Sequence, residues 1–270
     1  MSNWSLALDG RHEALGVGTG DGTTHTAGNA AKAAGYTTIG TTGFAYTGFW
    51  LYVTSNNNAR YRIDVAVGAS DNIIVEDLFL DAMGTGSNTG HSRWWIPIPV
   101  PASTAIKVRA HAQAASQSLR VIVVGYQTDF RGFMRARKIV PLHGWSGSTP
   151  FVDPLPSHTE PASTAESGYT EITSSTSVRA MGLYMAMGTG GDTTRTAGRR
   201  IVRLYRGASL SERLIWVSQI GNGTTTLLSN PEGPWPIAVP SGQRLAFTTQ
   251  SHASPPGAEP IHMALHALIP

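Results

Sequence analysis

Short stretches in which apolar and polar residues alternate recur along the chain, and this alternation predicts β-strands. Residues 61–67 carry Tyr, Ile, Val and Val at every second position, and residues 106–112 carry Ile, Val, Ala and Ala in the same way. Such stretches return roughly every ten residues, between turns rich in Gly, Ser, Asn and Pro, as in β-sandwiches. We therefore predict an all-β, antiparallel fold.

Residues 72–83, NIIVEDLFLDAM, have a spacing of apolar positions that would also suit a helix. Residues 212–223, ERLIWVSQIGNG, occupy the matching place in the second half of the chain and have the pattern of a strand. We predict strands for both segments.

A proline-rich phrase occurs twice. WWIPIPVP at residues 94–101 returns as PWPIAVP at residues 234–240, which places Pro97 on Pro236, 139 positions later. The same gapless offset places residues 68–70, Gly-Ala-Ser, on residues 207–209. One constant offset from residue 60 to the chain end indicates an internal duplication. Two long copies suit two tandem domains rather than a solenoid.

The repeat divides the chain into four predicted parts. Residues 35–128 and 168–270 are predicted to be β-sandwich domains 1 and 2. Residues 1–34, rich in Gly, Thr and Ala, are predicted to be an extended N-terminal arm. Residues 129–167, with several prolines and arginines, are predicted to be a stiff, irregular linker.

The proline phrase itself restricts the structure around it. Alternate prolines lack N–H donors, so the segment is expected to be an edge strand or an extended run. Trp95 and Trp235 are predicted to close the ends of the two sandwiches. The predicted core is Ile63, Val65, Ile106, Val108, Ile122, Val124, Val202, Leu204, Leu245, Phe247, Met263 and Leu265.

Composition narrows the functional classes. The chain has no cysteine, which excludes disulfides and thiolate chemistry. Its net charge of +3 is small, so nucleic acid is not an expected partner. Neither a signal peptide nor a run of about 18 apolar residues is found, so we expect synthesis in the cytoplasm and no membrane partner.

No motif predicts catalysis, a cofactor or a metal. Residues 16–22, GVGTGDG, resemble a phosphate-binding loop but lack the flanking strand and helix that such a loop needs. His262 and His266 alternate along a strand and are too far apart to share a metal, about 13 Å. No nucleophile elbow or carboxylate pair stands out. We predict a non-enzymatic protein without cofactors, and a polar outer face or subunit contact for the histidines.

The candidate interaction residues lie outside the predicted sandwiches. The arm carries apolar side chains that a free arm would expose, and residues 131–138 form a basic cluster that suits an acidic partner. The predicted docking residues are Trp4, Leu6, Leu8, Leu15, Arg131, Arg135, Arg137 and Lys138. Surplus aromatics at Trp50, Tyr52, Trp94 and Trp95 suit either sugar binding or a protein interface.

The small-residue composition, the absence of cysteine, the predicted arm and the duplicated β-domains together resemble virion structural proteins of tailed bacteriophages. This resemblance implies jelly-roll-like sandwiches attached to a capsid, collar or tail as decoration, adaptor or fibre base. It implies other virion proteins as partners, a homo-oligomer, and no catalysis. The alternative is a carbohydrate-binding module, lectin-like or receptor-binding, with a glycan as ligand.

Overall fold

In a computed structural model, the described part of the chain folds into β-strands without helices. The described residues are 11–18, 22–28, 35–55, 59–82, 90–112, 117–127, 136–142, 157–160, 165–188, 198–221, 232–251 and 259–270. Since the described residues include no helix, they also include none long and apolar enough to cross a membrane. The all-β prediction is confirmed, including the strands predicted for residues 72–83 and for the matching segment of the second half.

Within the described residues, nine strands lie in the first half of the chain (residues 11–127) and nine in the second half (residues 136–270). Those of the first half are β1 (Arg11–Leu15), β2 (Thr23–Thr26), β3 (Thr37–Thr41), β4 (Gly48–Ser55), β5 (Ala59–Val67), β6 (Asn72–Ala82), β7 (Gly90–Ile96), β8 (Ala105–Ala112) and β9 (Ser118–Gln127). Those of the second half are β10 (Lys138–Pro141), β11 (Ser157–Glu160), β12 (Thr170–Thr173), β13 (Gly182–Gly188), β14 (Gly198–Arg206), β15 (Glu212–Gly221), β16 (Glu232–Trp235), β17 (Leu245–Ser251) and β18 (Glu259–Ile269).

The first half is a jelly roll of two layers. One of them, the β9 layer, has the order β1, β9, β4, β7, and β2 pairs with β9 on the same side as β1. The other, the β8 layer, has the order β3, β8, β5, β6. The chain changes layer at every connection except β1–β2 and the β5–β6 hairpin. This pattern of crossings is that of a double-sheet jelly roll.

The second half repeats this topology. β10 and β11 pair with β18, which is followed by β13 and β16, and this set is the β18 layer. The β17 layer has the order β12, β17, β14, β15. Each strand pair of the first half therefore has a counterpart in the second. A common ancestry of the two halves stays a prediction, which the matching topology supports.

The predicted arm and linker differ from the structure. Residues 11–15 and 23–26 are strands of the β9 layer, and residues 138–141 and 157–160 are strands of the β18 layer. These strands have only four or five residues, too few to produce a clear alternation. Hydrogen bonds from the long neighbours β9 and β18 define them instead.

A continuous sheet joins the two halves. β10 pairs antiparallel with β18 and, through Ile139 and Val75, parallel with β6. The β18 layer of the second half therefore continues into the β8 layer of the first, in the order β16, β13, β18, β10, β6, β5, β8, β3. Two sandwiches with separate sheets were predicted, and in this respect the prediction is wrong.

Each half has an apolar core between its layers, and the cluster of the first core also includes Ile139, Tyr184 and Leu268 of the second half. All predicted core residues are buried except Ile122 and Val124, which are half-buried on the outside of β9. Leu119, Val121 and Val123 of the same strand point inward instead. The four consecutive apolar residues at 121–124 contain no alternation, so their pattern does not identify the inward face.

The proline phrase follows an edge strand. β7 ends at Ile96, lies at the edge of the β9 layer, and the prolines at 97, 99 and 101 come after it. The prolines therefore interrupt no ladder of hydrogen bonds. Trp235 packs against the second core, but Trp95 lies half-exposed on the outside and Trp94 is the residue buried in the first core. The prediction for Trp95 is wrong by one position, because β7 turns alternate residues to opposite faces.

Candidate interaction surface

The second half packs against the first through the outside of its β18 layer. The residues of this surface, the outer β18 face, are all nearly inaccessible to solvent: Tyr184, Ala186, Ala264, His266 and Leu268. They point away from the second core, which holds their neighbours Leu183 and Leu265. β18 is thus buried on both sides, and its histidine side is not the polar outer face that was one of the two predictions.

Strand β6 of the first half covers the outer β18 face. Phe79 forms a buried apolar cluster with Ala186 and Ala264. The Tyr184 hydroxyl donates a hydrogen bond to the carbonyl oxygen of Trp95. The His266 ring donates through Nε2 to the carbonyl oxygen of Asp77, at 2.9 Å. Apolar packing and backbone-directed hydrogen bonds therefore both join the halves.

Buried charges lie beside this contact. Asp64 accepts hydrogen bonds from the backbone N–H of Asp77 at 2.9 Å and from Nε of Arg109 at 2.8 Å. Burial lowers the pKa of the Arg62 guanidinium, an effect that Asp77 and Asp64 oppose. Burial also lowers the pKa of His266 to about 4, so this ring is neutral near pH 7.

The repeated topology identifies the equivalent surface on the first half, the outer β9 face. The pair Trp50–Val124 corresponds to Tyr184–His266, and both are cross-strand partners in the same place of their layers. The residues of the outer β9 face are Trp50, Tyr52, Trp95, Ile122, Val124 and Tyr126. Every one of them is half-buried, whereas the counterparts of Trp50, Tyr52, Ile122, Val124 and Tyr126 on the outer β18 face are buried.

Aromatic rings cover much of the outer β9 face. The ring centroids of Trp50 and Trp95 are 5.5 Å apart with an interplanar angle of 58°, and those of Trp95 and Tyr126 are 5.9 Å apart. A Cβ atom at Gly48 would lie 2.7 Å from the Trp95 ring, so the glycine allows this ring to lie flat on β4. The guanidinium of Arg93 lies 5.6 Å from the Trp50 centroid.

Sequence reasoning found part of this surface. Trp50, Tyr52 and Trp95 were predicted as surplus aromatics, whereas Tyr126 was not predicted, and Ile122 and Val124 were predicted to lie in the core. Alternation within β4, which places Trp50 and Tyr52 on the side opposite Leu51, was the available signal.

Among the predicted docking residues, Trp4, Leu6, Leu8, Arg131 and Arg135 lie outside the described residues. Leu15 ends β1, pairs with Val123 and packs against the first core. A Cβ atom at Gly40 would lie 3.1 Å from the Leu15 side chain. Leu15 is therefore engaged within its own chain, and the reason for predicting that it docks on a partner no longer holds.

The two described basic residues of the predicted cluster differ from each other. Lys138 Nζ lies 2.6 Å from Oε2 of Glu76, an ion pair between β10 and β6 that joins the two halves. Arg137 is exposed and lines an apolar groove of about 530 Å³, together with Ile98 and Pro99. Of these two, Arg137 is the one placed to meet a partner.

The glycine-rich segment at residues 16–22 and the histidines are the features of the sequence that resemble a ligand or metal site. Gly16 follows β1 with φ of 82°, and a Cβ atom there would meet the Val121 carbonyl oxygen at 2.8 Å, so it is a tight turn against β9. Within the part of the chain described, no three His, Asp or Glu side chains are grouped to hold a metal ion. The side chain of His262 lies outside the description.

No family model matches the sequence, and no curated protein matches it. Among solved structures, a crystal structure of the STIV MCP is 11% identical, with a TM-score of 0.34, covering 95% of this chain and 97% of that one. The tandem CBM22-1–CBM22-2 domain of Paenibacillus barcinonensis Xyn10C is 10% identical, with a TM-score of 0.22 and coverages of 96% and 91%. Infectious bursal disease virus, Gx strain, is 9% identical, with a TM-score of 0.23 and coverages of 96% and 71%. These TM-scores are below 0.5, so the function proposed for this chain rests on its own fold and surface.

Proposed function

We propose that this chain is a non-enzymatic structural protein of a virion and assembles through protein–protein contacts. The observation that carries the proposal is the difference between two equivalent surfaces. The first half of the chain buries the outer β18 face, whereas the outer β9 face remains half-exposed and rich in tryptophan and tyrosine. Exposed aromatic patches of this kind are typical of protein interfaces.

The fold supports the same proposal. Jelly rolls occur in viral capsid and lectin domains, and a fold alone does not define a function. Here two jelly rolls are joined by one sheet and by buried side chains into a single unit. Such a unit presents its edges and faces in fixed positions, which suits repeated contacts in a particle. The resemblance of the sequence extends the proposal to a phage capsid, collar or tail.

A census of purified particles by mass spectrometry tests this proposal. Virions from an infected or induced host are separated on a density gradient, and the peptides of this chain are quantified across the fractions. We expect the chain to co-sediment with intact particles in a fixed ratio to the other structural proteins. Its presence in the cell lysate together with its absence from the particles would refute the proposal.

The second candidate is carbohydrate binding, which the half-buried rings of Trp50, Tyr52 and Trp95 on the outer β9 face favour because sugars stack on aromatic rings. A glycan array of the wild-type chain and a Trp50→Ala variant tests it. Binding of a defined glycan class by the wild type, and loss of that binding in the variant, would establish this function. A uniformly blank array would exclude it for the glycans present.

Docking through the N-terminal segment and the basic cluster stays a proposal for Trp4, Leu6, Leu8, Arg131, Arg135 and Arg137. Removal of residues 1–10 tests the first part, since it spares β1 and β2. We expect the shortened chain to keep its melting temperature and to lose incorporation into particles. Normal incorporation would exclude residues 1–10 as the docking segment.

A further inference from the structure

The two strands that join the halves, β10 and β6, each have a counterpart in the other half of the molecule. Within the chain, β6 covers the outer β18 face, and β10 at the edge of that layer pairs with β6. In the repeated topology, β1 corresponds to β10, and β15 corresponds to β6. Among the described residues, β1 pairs with β9 alone and β15 with β14 alone. Among these residues, both are therefore edge strands.

We propose that the outer β9 face of one copy docks against the β15 side of a second copy, repeating between chains the contact that the halves make within one chain. The inference rests on the proposed function, because it names the partner of an assembly protein. The contact uses two different surfaces of the molecule, so it is heterologous. Contacts of this type continue from copy to copy until a ring closes or a filament forms.

The pairing register predicts which residues meet. Phe79 of β6 pairs with Arg62 of β5, and Ser218 of β15 pairs with Ile201 of β14. Ser218 therefore corresponds to Phe79, 139 positions earlier. Phe79 packs on Ala186, whose counterpart on the outer β9 face is Tyr52. Within the chain a large residue thus meets a small one. Between chains, the position of Tyr52 would lie against the position of Ser218, so the order of the large and the small residue type is reversed.

The geometry of the rings favours a protein over a sugar on this face. Trp50 and Trp95 are tilted by 58° to each other and do not form one flat platform. Arg93 stacks over Trp50, and it supplies hydrogen-bond donors that suit the carbonyl oxygens of an open strand edge. Burial of the two tryptophans and two tyrosines would supply the apolar area that a stable contact between copies needs.

Two single variants and their mixture test the inference by sedimentation velocity over a range of concentrations. Tyr52→Lys places a charge on the outer β9 face, and Ser218→Lys places one on β15. We expect the wild-type chain to form oligomers as its concentration rises, and each variant alone to remain monomeric. An equimolar mixture should form a dimer, because each variant contributes the surface that the other lacks. A misfolded variant could not contribute to this dimer.

Ser174→Lys is the matched control for Ser218→Lys, because Ser174 is exposed and follows β12, which lies at the edge of the β17 layer opposite β15. It should assemble like the wild type. Normal assembly of Ser218→Lys alone would indicate a symmetric contact between two outer β9 faces and would overturn the inference. A wild-type chain that stays monomeric at every concentration would overturn it as well. In that case the particle census could still succeed, so failure of this inference and failure of the proposed function are distinguishable.

Discussion

At the scale of single residues, Tyr46 and Gly125 form a matched pair in the first core. The Tyr46 ring lies where a side chain at Gly125 would be, since a Cβ atom there would come within 2.1 Å of the ring. The ring is buried, and its hydroxyl donates a hydrogen bond of 2.6 Å to Glu13. The corresponding residues of the second half are Ala180 and Ala267, both buried. The two halves thus fill one position in different ways.

We expect Gly125→Ala to lower the free energy of unfolding by about 1–3 kcal/mol, because the added methyl group overpacks the core against Tyr46. In a Tyr46→Ala background the same change should cost less, because the ring is gone. Urea unfolding of the two single variants and the double variant measures this coupling. Strictly additive effects would show that the ring does not determine the need for glycine.

His266 makes stability depend on pH. Its pKa in the folded protein is about 4, and the ordinary value is 6.5, so between these values the unfolded chain binds more protons than the folded one. The contribution of neutral His266 to the free energy of unfolding is therefore fully present above about pH 6.5. It falls as the pH is lowered and levels off below about pH 4, after a loss on the order of 3 kcal/mol. Asp77, Asp64, Arg62 and Tyr184 are the charged or titratable groups around this contact.

His266→Gln isolates this contribution, because glutamine keeps a donor for the Asp77 carbonyl oxygen and does not titrate in this range. The difference in unfolding free energy between wild type and variant should narrow, or change sign, as the pH falls from 7 to 4. His25, whose pKa is also lowered by burial, is present in both proteins and cancels. Two stability curves that run parallel over this range would contradict the assignment.

At the scale of elements, β9 carries large apolar residues on both sides and tests the assignment of faces. Leu119 points into the first core and Ile122 lies on the outer β9 face. We expect Leu119→Ala to cost about 2–5 kcal/mol, and Ile122→Ala less than about 1 kcal/mol. Urea unfolding at low protein concentration, where contacts between copies are absent, measures both. Equal costs would mean that both faces of β9 are covered.

At the scale of the whole molecule, the buried contact between the halves predicts that they unfold together. Phe79 is inaccessible and lies between them, so Phe79→Ala should cost about 3–5 kcal/mol through the cavity it leaves. We expect one calorimetric transition for the wild type and two for the variant, since the halves keep separate cores. A lower but still single transition would show that pairing through β10 is sufficient to couple them.

The sequence alone determined the all-β class and most of the long strands. These are local properties, since alternation along β5 and β14 and the glycines at 68 and 207 reflect the pleat and the turns of each strand. The offset of 139 holds between β5–β6 and β14–β15, where Arg62–Phe79 matches Ile201–Ser218. It does not hold between β9 and β18, where Val124 corresponds to His266, 142 positions later.

The tertiary structure decided which apolar faces are covered. Alternation shows which residues share a face, but where both faces are apolar, as in β9 and β18, only the packing of other elements selects the buried one. The same holds for β1, β2, β10 and β11, which are too short for a pattern and exist as strands because β9 and β18 supply their hydrogen bonds. The surface proposed for assembly arises in this way, because β6 covers the outer β18 face, whereas the equivalent outer β9 face is only half-buried.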